Sequence, residues 1–182
     1  VSVRRLLNSR VHLTPAVKGG FDMSQDRLTG SNAHAIRGAF SNFLTGVTVV
    51  CTIDRNGRAR GFTANSFTSV SLDPPLVLVC LAKTASSHDI FRQCDSFSVN
   101  VLSEQQRELS KVFASKSADK FSKVDIRSAA TGAPVIAGCL SWFDCTVFDC
   151  VEAGDHIILV GRVESFLGGQ GAPLGFWRGN YV

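Results

Sequence analysis

The sequence lacks most of the signals that announce a membrane, a nucleic acid or a metal. No stretch reaches the ~20 apolar residues that a bilayer-spanning helix needs. Its 19 lysines and arginines outnumber 15 acidic residues for a net charge of +4, yet they are scattered and never interleave with aromatics into a nucleic-acid face. Six cysteines occur without a Cys-x-x-Cys pair or a histidine at metal-ligand spacing. No Gly-x-Gly-x-x-Gly joins a strand to a helix, which removes a Rossmann unit. A Ser-His-Asp order, a His-Glu-x-x-His helix and paired carboxylates are also missing, so acyl-transfer, zinc-hydrolytic and two-carboxylate chemistries have no motif to rest on. After residue 30 no repeat, low-complexity tract or linker divides the chain.

What is present fits one domain. The 182 residues, 45% hydrophobic and 19% charged, suffice for one buried core and are few for two. We expect residues 1–30 to form an extension outside the core and residues 31–182 to form the domain. The extension carries Arg4, Arg5, Arg10 and Lys18 without a continuous apolar core, so it does not make a secretory signal. The sequence begins at Val1 and its only methionine is Met23; a non-standard start codon and an upstream extension are both open readings. Cys51 and Cys80 sit inside apolar runs, as reduced core thiols of a cytoplasmic protein do.

Periodicity places the elements. Ile36, Phe40, Phe43 and Leu44 predict a helix capped by Ser31 or Asn32 and stopped at Gly46. Val47–Ile53, Arg58–Ala64, Leu76–Leu81, Phe97–Leu102, Cys139–Val151 and His156–Phe166 predict strands, with hairpins at Asp54–Gly57 and Glu152–Asp155. Leu76–Leu81 is apolar throughout and reads as buried on both faces. Ala133–Ile136 reads as short and edge-like. Ser103 with Gln106 has the form of a capping box before a helix over 104–114. Six or seven strands with few short helices argue for a mainly β protein, an antiparallel barrel.

The most informative stretch is Gly61–Pro75. Five Ser/Thr hydroxyls and the Asn65 amide fall within nine residues, Thr63 to Ser71, and Pro74-Pro75 ends the segment in a rigid turn. Small residues let backbone approach a ligand while short side chains supply donors, which suits a polar, partly planar, phosphate-bearing molecule. Satisfaction of the segment's own backbone is the plainer alternative. Downstream, Lys83 precedes Ser86 and Ser87, which can cap a short helix and offer an anion site or simply a surface cap.

Taken in order, Thr45–Val50, Gly61–Ser71 with Asp73–Leu76, Phe97–Leu102, Asp119-Lys120-Phe121, and Gly154-Asp155-His156 with Val160–Val163 resemble the short-chain flavin reductases of two-component monooxygenases over roughly residues 32–182. The resemblance implies an FMN-binding split barrel, a homodimer, and NADH or NADPH reducing FMN or FAD for a separate oxygenase component, with no nucleic-acid or membrane partner. It implies that Thr63, Ala64, Asn65 and Ser66 lie along the isoalloxazine, with Thr48 of the first motif among the cofactor contacts. Ser69, Val70 and Ser71 match positions near the ribityl and phosphate, Cys80 and Leu81 a strand end beside the ring, and Lys83, Ser86 and Ser87 a phosphate site. Phe113 and Lys120 match the region covering the flavin, and Arg178 and Tyr181 the nicotinamide side. His156, by itself a solvated turn residue, matches a position near the flavin and the incoming nicotinamide where an imidazole can hydrogen-bond the flavin or the dinucleotide and orient them.

Direct hydride transfer between two stacked rings requires no nucleophile and no metal from the protein, consistent with the motifs that are missing. Two other readings stay open at this level. A retained flavin can pass electrons to another acceptor such as a corrinoid or metal chelate, and a split barrel can bind flavin without turnover.

Overall fold

A computed structural model describes residues 32–117 and 119–182. The expected extension 1–30 and the Ser31 cap lie outside the described residues. In chain order the elements are α1 (Ala33–Phe40), β1 (Thr45–Gly46), β2 (Thr48–Ile53), β3 (Ala59–Ala64), β4 (Thr68–Leu72), β5 (Pro75–Ala82) and α2 (His88–Arg92). Then follow β6 (Ser96–Val101), a 3₁₀ turn (Glu104–Gln106) running into α3 (Arg107–Ala114), β7 (Ile126–Ser128) and β8 (Pro134–Ile136). The long strands β9 (Ser141–Ala153) and β10 (His156–Gly168) precede β11 (Gly175–Trp177) and β12 (Asn180–Tyr181).

Seven strands form one antiparallel sheet in the order β3-β2-β6-β9-β10-β5-β4. The chain runs from β3 at one edge directly to β4 at the other, so the sheet must curl until its edges approach. Residues from nearly every strand then share one interior: Val50, Phe62, Val79, Phe97, Cys145 and Leu159 belong to a single buried cluster. Phe91 of α2 plugs the barrel end, its ring edge-to-face with Phe62 at 4.8 Å. Each such phenyl contributes about 1.5–3 kcal/mol by leaving water.

A second cluster, with Val49, Cys51, Leu102, Phe113 and Ile136, lies on the outer side of β2 under α3 and β8. β2 is therefore buried at five consecutive positions, Val50 facing the barrel interior and Val49 and Cys51 the outer layer. Buried Asn100 of β6 fastens that layer: its amide donates to the Val49 carbonyl at 3.0 Å and its oxygen accepts from the Ile136 N–H at 2.8 Å. Ser98 adds a short bond to the Pro134 carbonyl.

Three local expectations are corrected. β5 is not buried on both faces: Val77, Val79 and Leu81 point into the core while Leu78 and Cys80 stay half-exposed, because one face lines the open side of the barrel. β8 is fully buried rather than edge-like, because its ribbon with β7 packs onto β6. The polar stretch is interrupted: after β3, Asn65–Phe67 makes a crossing, and Thr68–Leu72 resumes as an exposed edge strand. The capping box at Ser103 is present, the Gln106 side chain accepting from the Ser103 N–H at 3.1 Å, and it starts the 3₁₀ turn ahead of α3.

Gly161 of β10 leaves room for the core. A Cβ there would lie 2.5 Å from Phe97 Cζ and 2.7 Å from Cys145 Cβ, and the β9–β10 register shifts at that point. Gly161→Ala is expected to destabilise the fold by about 1–3 kcal/mol through overpacking, read as a lowered midpoint in thermal unfolding.

Candidate functional site

The sheet closes where the Asn65–Phe67 crossing passes β5. The Ser66 hydroxyl accepts from the Cys80 N–H at 2.9 Å and donates to the Cys80 carbonyl at 3.3 Å, clasping the crossing to β5. Thr63 donates to the Ser110 carbonyl at 2.6 Å and so ties β3 to α3. Gly61 permits that packing, since a Cβ there would meet the Phe113 ring at 2.8 Å. Phe121 packs edge-to-face on Phe113 at 4.9 Å and brings the preceding Lys120 inward. The Lys120 ammonium donates to the Phe113 carbonyl at 2.8 Å and the Gly61 carbonyl at 3.3 Å, and its half-burial pushes its pKa below the ordinary lysine value.

These ties leave a cleft of about 530 Å³ between the barrel's closing edge and α3. Thr63, Ala64, Asn65 and Ser66 line it on one side of the Ser66–Cys80 clasp and Cys80 and Leu81 on the other. Ser86 and Ser87 line one end, and Phe113, Lys120 and His156 complete it. Eleven residues singled out from the sequence thus share one cavity. Asn65 is exposed and its amide makes no hydrogen bond within the described residues. Ser87 occupies the N-cap of α2 without a side-chain capping bond, and α2 is only five residues long. The capping role expected of Ser86 or Ser87 is therefore not taken up.

His156 opens β10 and is half-exposed at the cleft. Its Nδ1 lies 2.7 Å from the Asp155 carboxylate, and that hydrogen bond holds the Asp155 carboxyl below the usual carboxylate range. An ionised carboxylate only accepts, so Nδ1 carries the proton and Nε2 is the ring's open nitrogen.

The other expected residues lie outside this cleft. Thr48 is buried beneath it, donating to the Ala64 carbonyl at 2.9 Å. Ser69, Val70 and Ser71 belong to the edge strand β4, where the Ser71 hydroxyl accepts from the Asp73 N–H at 3.1 Å. Lys83 is paired with Glu152 at 2.7 Å, which also draws in Arg92 at 3.3 Å. Arg178 grips the Asn42 side-chain oxygen at 2.8 and 2.6 Å and stacks on Trp177. Tyr181 reaches the site only indirectly, its hydroxyl 2.9 Å from Ser110 Oγ, behind the residue that Thr63 bonds. Conversely, Thr84, Ala85 and Lys116 line the cleft without having been singled out. Thr84 sits inside the Lys83–Ser87 run, a signal that was readable; Lys116 follows α3 with no local pattern to mark it.

Known proteins share this fold. Residues 40–182 match the flavin reductase like domain family. The reductase component of a flavin-dependent trigonelline monooxygenase from Acinetobacter baylyi is 47% identical over 80% of this chain and 47% of its own length. A stachydrine N-demethylase reductase subunit from Rhizobium meliloti is 48% identical over 81% of this chain and 64% of its own length. The chain thus spans about half to two thirds of the length of these two curated relatives. Among solved structures, a Streptomyces globisporus NADH:FAD oxidoreductase in complex with NAD and FAD fragments superposes with a TM-score of 0.80 at 36% identity, covering 87% of this chain and 96% of that one.

The half-buried Lys120 ammonium gives the cleft a pH signature. Unfolded Lys120 keeps its proton up to the ordinary value of 10.5 while the folded chain releases it at lower pH. The unfolded state therefore binds more protons in that window, and stability from this group rises as pH climbs toward 10.5. Urea midpoints measured across alkaline pH are expected to show this gain in the native protein and to lose it in Lys120→Met.

Proposed function

The chain belongs to the flavin reductase-like domain family, and on that premise we propose that it transfers hydride from NADH or NADPH to FMN or FAD and hands the reduced flavin to a separate oxygenase component. One observation carries the reading: eleven residues from six separate segments of the chain converge on one cleft at the barrel's closure. Its volume of about 530 Å³ lies within the range of small-molecule sites. The donor set also fits a flavin. The Ala64–Ser66 backbone and the unpartnered Asn65 amide offer groups to a polar ring edge, and Cys80 and Leu81 offer a flat, mostly apolar wall. The uncommitted hydroxyls of Ser86 and Ser87, beside Lys116 and Lys120, suit a phosphate.

Bound flavin would supply the redox chemistry, accepting hydride from a reduced nicotinamide. The protein's task is then positional. Phe113, held by Gly61 and by the Lys120 bonds, limits the cleft on the α3 side and excludes water from the ring. His156 presents Nε2 at the mouth with its tautomer set by Asp155, placed to hydrogen-bond one of the two reactants and orient it. No proton transfer by a side chain is required.

Two further parts of the reading concern state and place. The described residues leave Phe40, Phe43, Leu44, Phe148, Phe166 and Leu167 exposed, Phe43 at 76%. A homodimer that covers them is proposed, and light scattering is expected to give twice the chain mass. All six cysteines are free, in keeping with a reducing compartment such as the cytoplasm. No helix among the described residues is long and apolar enough to cross a membrane.

Anaerobic mixing of the protein with NADH or NADPH and with FMN or FAD tests the central claim. Flavin absorbance is expected to bleach with at least one pair, and His156→Ala is expected to lower kcat/KM for the nicotinamide by about tenfold, the worth of one positioned hydrogen bond. Failure to bleach with every pair would overturn the reading.

A further inference from the structure

α3 bounds one side of the cleft, and it is held there from two directions. On the barrel side there is no slack: a Cβ at Gly61 would meet the Phe113 ring at 2.8 Å, and Thr63 donates to the Ser110 carbonyl at 2.6 Å. On the other side stands the C-terminal hairpin of β11 and β12, which belongs with β1 to a separate three-stranded sheet. Its Tyr181 meets α3 twice. The Arg107 guanidinium lies over the ring, 5.3 Å from its centroid, and the hydroxyl lies 2.9 Å from Ser110 Oγ. Ser110 thus serves both neighbours, with its carbonyl bonded to the cleft wall and its hydroxyl to the hairpin. It is fully buried, and Tyr181 is the one partner of its hydroxyl among the described residues.

We propose that Tyr181 is a positioning residue for the cleft, acting through Ser110 on Thr63. This role presupposes the flavin reductase reading of the cleft and gives the C-terminal hairpin a part in that site. Thr63 lines the cleft, and with its hydroxyl proton spent on the Ser110 carbonyl it offers a ligand only lone pairs. That polarity holds while the Ser110 carbonyl stays in place. A buried serine hydroxyl with no fixed partner can turn back to the carbonyl four residues earlier, which bends its helix at that turn. The Tyr181 hydroxyl gives Ser110 Oγ a partner outside the helix and so removes the incentive to bend. The turn at stake carries the carbonyl that Thr63 uses and, three residues on, Phe113 at the cleft. Loss of one hydroxyl behind α3 therefore reaches the cleft without any contact to the ligand.

Tyr181→Phe keeps the ring against Arg107 and Phe176 and removes the hydroxyl alone. The native protein, Tyr181→Phe, Ser110→Ala and the double variant are titrated with FMN and FAD by fluorescence quenching and assayed with NADH and NADPH. Tyr181→Phe is expected to weaken flavin binding about fivefold, the worth of one neutral hydrogen bond, and to raise KM for the flavin while kcat and KM for the nicotinamide change little. The visible circular dichroism of the bound flavin is expected to change with it. In the Ser110→Ala background Tyr181→Phe is expected to have no further effect on flavin affinity, because the relay is already cut. A lowered unfolding midpoint with flavin affinity and dichroism unchanged overturns the proposal and leaves Tyr181 a packing residue. An undiminished effect of Tyr181→Phe in the Ser110→Ala background also overturns it. So does a rise in KM for the nicotinamide alone, which assigns the hydroxyl to the dinucleotide directly. Absence of flavin binding by the native protein overturns the flavin reductase reading first and this role with it.

Discussion

The structure depends on a closure problem. A sheet whose first and last strands are consecutive in sequence cannot stay open, because three residues, Asn65–Phe67, must carry the chain from β3 at one edge to β4 at the other. The Ser66 hydroxyl solves this by pairing with both backbone groups of Cys80, replacing the ladder that the two edges cannot form. A seam closed by one side chain rather than by a full ladder leaves a gap beside it. The cleft is that gap, and its walls are the two strand ends that the seam brings together.

Rigidity around the gap comes from the other side of β2. Burial at five consecutive positions of β2 lets one strand serve both the barrel interior and the layer under α3, so displacement of α3 would disturb the interior as well. Asn100 and Ser98 fasten β8 to that layer with buried, satisfied hydrogen bonds, which cost little when complete and much when broken. The cleft therefore stands on a floor that is costly to shift, as the proposed hydride transfer between stacked rings would require.

How much of this was legible in the sequence follows from how local each signal is. Strand alternation in Phe97–Leu102, the Asp54–Gly57 turn and the long pair at the Glu152–Asp155 hairpin are short-range patterns, and all appear. The hydroxyl-rich stretch was legible as unusual but not as two things: its first half, Thr63–Ser66, lines the cleft, whereas Ser69–Ser71 belongs to an exposed edge. Identical side chains on either side of a crossing carry no mark of which edge they will join. Leu76–Leu81 misled for a related reason, since an apolar run does not say that one of its faces borders a cavity instead of a core. Lys116 and Arg60 were invisible because their place beside the cleft comes from Gly61 and α3 packing against each other, a contact between segments about fifty residues apart.

Charge provides the last step. Counted by sequence, the site region holds lysines and arginines in abundance, yet a cation attracts an anionic ligand only with donors that the protein has not already used. Glu152 collects Lys83 and Arg92, Asn42 collects Arg178, and two carbonyls collect Lys120. Those bonds tie down the hairpin, the C-terminal turn and α3, so each of these cations already makes a contact within the fold. Among the cations that line the cleft and the cavity next to it, Lys116 and the terminal amino groups of Arg60 have no partner among the described residues. The field that a phosphate would experience is thus set less by the net charge of +4 than by which four or five partners the fold assigns to its cations.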